Sequence, residues 1–130
     1  MIEKDINEIT EQDLQFLVDN AVLEDKTLEY KQTLPNNFEA DKKEFLADVS
    51  SFANASGGDL IYGIASEKGT PKPLVGLDIN PDQAIQWLDN IIRTGIEPRI
   101  PSISIPPPIR LKNGRVVLII RIPRSWASPH

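Results

Sequence analysis

The chain contains no cysteine, and its one histidine, His130, is the last residue. A disulfide scaffold, a thiolate zinc site and a cysteine nucleophile are therefore excluded, and a histidine-based metal site or triad lacks its usual ligands. Any chemistry falls to carboxylates, lysines and hydroxyls. No apolar run approaches the ~18 residues that span a bilayer, and the N-terminus lacks the basic stretch and apolar run of a secretory leader. These absences predict a cytoplasmic chain without a membrane partner.

With 130 residues, 40% hydrophobic and 25% charged, the chain has the composition of an ordinary folded domain. A chain of this size buries roughly two-thirds of the surface exposed when unfolded. No repeat or linker interrupts it, so residues 1–130 read as one domain with a core over about 20–125. The net charge of -5 argues at first against a nucleic-acid partner, because phosphate binding rests on Lys and Arg. The average hides a gradient. Residues 1–30 carry nine acids and two bases, whereas residues 91–130 carry seven bases and one acid, Glu97.

Thr10-Glu11-Gln12-Asp13 has the form of a capping box, and Leu14, Leu17 and Val18 continue it as a short helix over about 11–19. Thr27 to Gln32 alternates with period two and reads as a strand. Phe45, Leu46, Val49, Phe52 and Ala53 lie on one helical face, Gly57 stops that helix, and Leu60 to Ile64 forms a short apolar strand. Asn80-Pro81 starts a third helix with Ile85, Leu88, Ile91 and Ile92 inward and Trp87 packed on its face. Pro101 and Pro106 to Pro108 confine any early strand to an edge. Asn113-Gly114 between two β-prone runs predicts a hairpin with a tight primed turn, and the apolar run Val116 to Ile120 predicts a central strand. The expected fold is α/β, of α+β-like arrangement, with a mixed sheet of about four to six strands and two or three helices in a single layer on it.

Three constellations carry candidate chemistry. Asn54, Gly57 and Gly58 join a helix to a strand. A phosphate loop runs in the opposite order, strand then glycines then helix, and needs Gly-Lys-Ser/Thr, so this junction reads as architecture rather than as an ATP site. Glu24, Glu29 and Lys31 form the second set. Two carboxylates five residues apart can hold a divalent cation, Mg or Mn, beside a phosphodiester while the lysine stabilises developing charge. Strand alternation alone also produces such a triplet on a solvent face. The third set is basic: Arg93, Arg99, Arg110, Lys112, Arg115, Arg121 and Arg124. Period two puts Arg110 and Lys112 on one strand face with Arg115 across the turn, a cluster suited to phosphate or to discouraging edge pairing. Trp126 beside Arg124 can stack on a base or cover the sheet.

Leu28-Glu29-Tyr30-Lys31 followed by Phe52-Ala53-Asn54-Ala55-Ser56-Gly57-Gly58 and a strand resembles the two signature blocks of the Schlafen AlbA-type domain. The resemblance extends over about residues 20–125. It implies a DNA-binding domain of a bacterial transcriptional regulator or helicase-like protein, without a required cofactor, contacting nucleic acid through Lys31, Arg110, Lys112, Arg115 and Arg124. Relatives usually continue past the tail of this chain, which implies an excised domain. Certain Schlafen relatives cleave RNA, which implies a metal-dependent nuclease as the alternative, with Glu24, Glu29 and Lys31 catalytic and a third acid just after the Gly-Gly strand. Here Ala65 and Ser66 fill those positions and Glu67 is the nearest acid, so the implied metal set is Glu24, Glu29 and a displaced Glu67. A third reading is a homo-oligomer in which the acidic N-terminal helix of one copy meets the basic hairpin of another.

Overall fold

The structure, a computed structural model, describes residues 1–96, 100 and 102–125. Its elements run α1 (Glu11–Asp19), β1 (Leu28–Lys31), α2 (Glu39–Asn54), β2 (Gly58–Tyr62), β3 (Ser66–Glu67), β4 (Thr70–Pro71), α3 (Pro81–Gly95), β5 (Ile109–Arg110) and β6 (Val116–Ile122). The expected α+β architecture is what forms: β1-β2-β6-β5 make a mixed four-stranded sheet, and β3-β4 a small hairpin beside it. β1 runs parallel to β2 through the α2 crossover, and β6 lies antiparallel to both β2 and β5. Among the described residues no helix is long and apolar enough to cross a membrane.

Alternation along the buried strands sorts the core into two layers. Leu60 and Tyr62 of β2, with Leu118, Ile120 and Ile122 of β6, face α2 and α3 through Phe45, Val49, Phe52, Leu88 and Ile91. Trp87 packs at the margin of that layer. Ile61, Val117 and Ile119 point the other way, onto Leu14 and Leu17 of α1 and onto Leu28 and Tyr30 of β1. The long helices thus form one layer, but the helices are not all in the single layer expected, because the short α1 covers the opposite face with Leu14 and Leu17. A sheet covered on both sides explains why β2 is buried at every position and β6 at all but Arg121.

α1 starts as the sequence predicts. The Thr10 hydroxyl accepts from the Asp13 N–H at 3.4 Å, and the Asp13 carboxylate accepts from the Thr10 N–H at 2.8 Å. At α3 the Asn80 side chain accepts from the Gln83 N–H at 3.1 Å, with Pro81 in the first turn. α2 begins at Glu39, six residues before its first buried position, Phe45, and Phe38 at its N-cap offers no capping side chain. That is why its start left no mark in the sequence.

The 109–122 hairpin forms, but not with the primed turn expected. Type I′ requires positive φ at both central residues, and only Gly114 has it, at +88°. The Gly114 N–H bonds the Leu111 carbonyl at 3.0 Å and the Leu111 N–H bonds the Arg115 carbonyl at 2.9 Å, which describes a three-residue loop closed by a glycine bulge. Lys112 therefore sits in the turn and not on the β5 face beside Arg110.

Two charged side chains interrupt the apolar centre. Asp59 of β2 is fully buried and faces Arg121 of β6 in register. The guanidinium clasps both carboxylate oxygens, at 2.9 and 3.1 Å, and also donates to the carbonyls of Ile2 and Lys4 at 2.7 and 2.6 Å. Asp59 accepts in turn from the Ile2 N–H at 2.8 Å. Hydrogen bonding to Asp59 chiefly raises the Arg121 pKa, against burial. The pair thereby straps the N-terminal segment across the sheet.

The Gly57-Gly58 junction closes α2 onto this sheet. Gly57 has φ +75°, and a Cβ there would lie 2.5 Å from the Ile122 carbonyl oxygen; one on Gly58 would lie 2.6 Å from the Phe52 ring. Gly57→Ala adds a left-handed penalty of about 1–2 kcal/mol to an overpacking cost of about 1–3 kcal/mol. Gly114 has a similar φ of +88° with nothing within 4 Å, so Gly114→Ala carries the first term alone. Urea titration is expected to show Gly57→Ala as the more destabilising by about 1–3 kcal/mol, and equal losses would show that the close approach contributes nothing.

Candidate functional site

Glu29 and Lys31 alternate with the buried Leu28 and Tyr30 and so project on the α2 side of the edge strand β1. Asp48, one turn before Phe52 on α2, meets them there. The Lys31 ammonium lies 3.4 Å from a Glu29 oxygen and 3.2 Å from an Asp48 oxygen. Glu24 enters from the preceding loop, which the Gly69 carbonyl holds through the Glu24 N–H at 2.8 Å. One carboxylate oxygen of Glu24 accepts from the Tyr30 N–H at 3.0 Å, and the other from the Ser66 hydroxyl at 3.4 Å. Glu24, Asp25, Glu29 and Asp48 line one cleft of about 420 Å³, with Ser51 and Phe52 as its α2 wall.

The sequence-predicted Glu24 and Glu29 are thus brought to one cleft, with Lys31 bonded to Glu29 at its edge. Glu67 is not with them: it is exposed and pairs with Lys72 at 3.4 Å. Ser66 occupies the place beside Glu24. Asp48 was missed because its helical position says nothing about β1; only its i−4 spacing from the inward Phe52 put it near the core face. Among the described residues no group of three or more His, Cys, Asp or Glu side chains is arranged to hold a metal ion. Glu24 already accepts two protein donors and Glu29 holds Lys31, so the set does not fit a bound cation as it stands.

Electrostatics at the cleft follow from burial. Removal from water chiefly raises the Glu29 pKa, partly offset by Lys31, while Asp48 and Glu24 push it further up. Burial alone would lower the Lys31 pKa, but Asp48 and then Glu29 outweigh it and raise the net value. Tyr30 is pushed up to about 12 by burial, then by Glu24 and Asp25. Its hydroxyl donates to the Val22 carbonyl at 2.7 Å.

The basic residues divide. Arg121 is the internal clasp on Asp59, and Arg93 pairs with Asp89 on α3 at 3.0 Å. Arg110, Lys112 and Arg115 are exposed around one hairpin and form no ion pair with a described residue. Arg124 is exposed at the far end of β6, whose seven residues separate it from the hairpin by roughly 20 Å. Lys31 lies on the opposite edge strand. Arg99 and Trp126 lie outside the described residues. Asn54 ends α2 with an exposed side chain, and Gly57 and Gly58 are packed against backbone and Phe52, with no room for a ligand between them. The N-terminal helix does meet the basic hairpin, but within its own chain: a Glu11 oxygen accepts from the Lys112 N–H at 2.8 Å.

Because its pKa is raised, Glu29 contributes stability that is complete below the unfolded value near 4.5 and is lost as pH rises through the higher folded value. Glu29→Gln removes that loss. Wild-type stability is expected to fall relative to the variant as pH rises from below 4.5 through the raised folded value, and carboxyl NMR titration should place the Glu29 midpoint above 4.5. A midpoint below that value would show that Lys31, not burial, dominates the cleft.

The family description Schlafen, AlbA_2 matches residues 24–130, beginning at Glu24. No curated protein matches the chain. Among solved structures, the solution NMR structure of an N-terminal domain from Nitrosomonas europaea, of a protein described as related to the ATP-dependent DNA helicase RecG, matches with a TM-score of 0.57. The two are 25% identical, over 85% of this chain and 70% of that one. With the matched segment spanning both signature blocks and every strand of the sheet, the chain belongs to the Schlafen AlbA_2 family.

Proposed function

We propose that this domain binds nucleic acid through non-specific phosphate contacts made by Arg110, Lys112 and Arg115, as a module of a larger DNA-processing or regulatory protein. The observation that supports it most directly is the isolation of those three cations. In a chain of net charge -5, Arg93 and Arg121 are held by aspartates, whereas the hairpin cations are exposed and without an ion-pair partner among the described residues. Unpaired cations release phosphate counterions on binding without first breaking an internal pair. The tight loop holds them on a rigid hairpin, and the similarity to a domain of a RecG-related protein favours a helicase-linked setting over a free-standing regulator.

Hydrolysis is the second reading, favoured by the meeting of Glu24, Glu29 and Asp48 in one cleft with Lys31 bonded across two of them. Ser66 stands where a further acid would be needed, and the carboxylates already hold protein donors, so binding is the better supported reading.

Anisotropy of a fluorescent 20-mer across a salt series tests both. Three phosphate contacts give a slope of log K against log salt of about −2.7 on duplex DNA, and each substitution to alanine in the hairpin reduces it by roughly one. Absence of binding at low salt, or a slope untouched by the three substitutions, would overturn the hairpin reading. Magnesium- or manganese-dependent shortening of the same oligonucleotide, lost in Glu29→Ala, would establish the second reading in its place.

A further inference from the structure

We propose that the domain takes an unpaired nucleobase into the cavity at the carboxyl ends of β1 and β2, and so prefers single-stranded or frayed nucleic acid to blunt duplex. The inference rests on the hairpin reading above and names the substrate class of that surface.

The cavity holds about 710 Å³, within the range of about 300–1,000 Å³ typical of small-molecule sites. It lies where the two parallel strands end, lined by residues 32–36 after β1 and by Gly63 and Ala65 after β2. In open sheets with parallel strands, ligands bind outside those carboxyl ends because the chain diverges there and leaves a crevice. Here Gly63, with φ +117°, turns β2 away from the sheet, and Leu77 takes its place beside Val116.

The cavity and the hairpin are one construction. The Asn113 side-chain amide donates to the Val75 carbonyl at 2.9 Å, and Gly76 packs so closely on the hairpin that a Cβ there would lie 2.7 Å from Leu111 and 3.0 Å from Arg115. Arg115 itself lines the cavity mouth. A strand with its phosphates on Lys112 and Arg115 therefore runs past the opening.

The chemistry of the lining suits a base. Leu34, Pro35, Pro73 and Val75 supply apolar walls, the surroundings into which extruded bases stack. The Thr33 hydroxyl and the Asn36 amide N–H groups offer polar contacts to base edges, the Asn36 Oδ1 already accepting from the Phe38 N–H at 2.9 Å. Lys72, also in the lining, makes an exposed pair with Glu67, a contact weak enough for a phosphate to displace. Asp78 is the one acid among the lining residues, against the two cations. A base stacked within a duplex cannot reach such a site.

The test compares a fluorescent 16-mer as single strand, as blunt duplex and as duplex with a three-nucleotide overhang carrying 2-aminopurine. The expected result is single-strand and overhang affinity about ten-fold above blunt duplex, in line with the stacking of one base, with a change in 2-aminopurine emission on binding. Val75 is 52% exposed, so Val75→Ser leaves the core intact and, being neutral, leaves the charge beside Arg115 unchanged. It should abolish the preference and the emission change while leaving blunt-duplex affinity within two-fold. Equal affinity for the three forms, or a preference that survives Val75→Ser, would overturn the inference and leave the hairpin reading standing. Absence of binding to all three would overturn both.

Discussion

The close approach of the α2 terminus to the end of β6 fixes everything else in this domain. Gly57 and Gly58 bring helix and strand backbones within a distance no side chain tolerates, and Ala53 then accepts the Ser125 N–H at 2.8 Å as the chain leaves β6. That contact sets where β2 begins, and a strand buried on both faces has no freedom to slip by one residue, since a slip exchanges its two faces. With β2 in register, Asp59 falls opposite Arg121 on the α1 side. Either charge alone in that position would be strongly destabilising, by about 3–5 kcal/mol for the loss of a partner. The pair therefore acts as a check on register as well as a strap for residues 2–4.

Charge separates along and across the same sheet. The acids of the first thirty residues lie in the N-terminal segment, on α1 and around the edge strand β1. The described cations of the last forty are divided: Arg93 pairs on α3, Arg121 forms the clasp, Arg110, Lys112 and Arg115 surround the far hairpin, and Arg124 follows β6. Net charge alone hides this separation, because association depends on local potential and not on the sum. Glu11 bonds the Lys112 backbone, and the ammonium forms no ion pair with a described residue.

Much of this was legible in the sequence where local chemistry decides the outcome. The Thr10 and Asn80 caps, the central β6 strand and the glycine stop after α2 all follow from residues acting on near neighbours. What depends on distant partners was not legible. Arg121 reads as one more base on a basic tail until its register with Asp59 is known, and Asp48 reads as a helix surface acid until β1 lies beside it. The hairpin turn shows the same limit at short range, since Asn-Gly fits both a primed two-residue turn and a bulged three-residue loop. The register of β5 on β6, not the dipeptide, selects the second.

The edge position of β1 gives Glu24 a role that does not depend on catalysis. An edge strand presents backbone donors with no ladder partner, and such donors invite pairing with another chain. Glu24 accepts from the Tyr30 N–H on that edge, while Glu29 and Lys31 set charges along the same strand. The carboxylate also bonds Ser66, tying the β3-β4 hairpin back to β1. A serine beside Glu24 donates a hydrogen bond where a second acid would repel it. The same residues that mark the family therefore stabilise the sheet edge in this chain, while the hairpin cations stay exposed at the other edge, without an ion pair to a described residue.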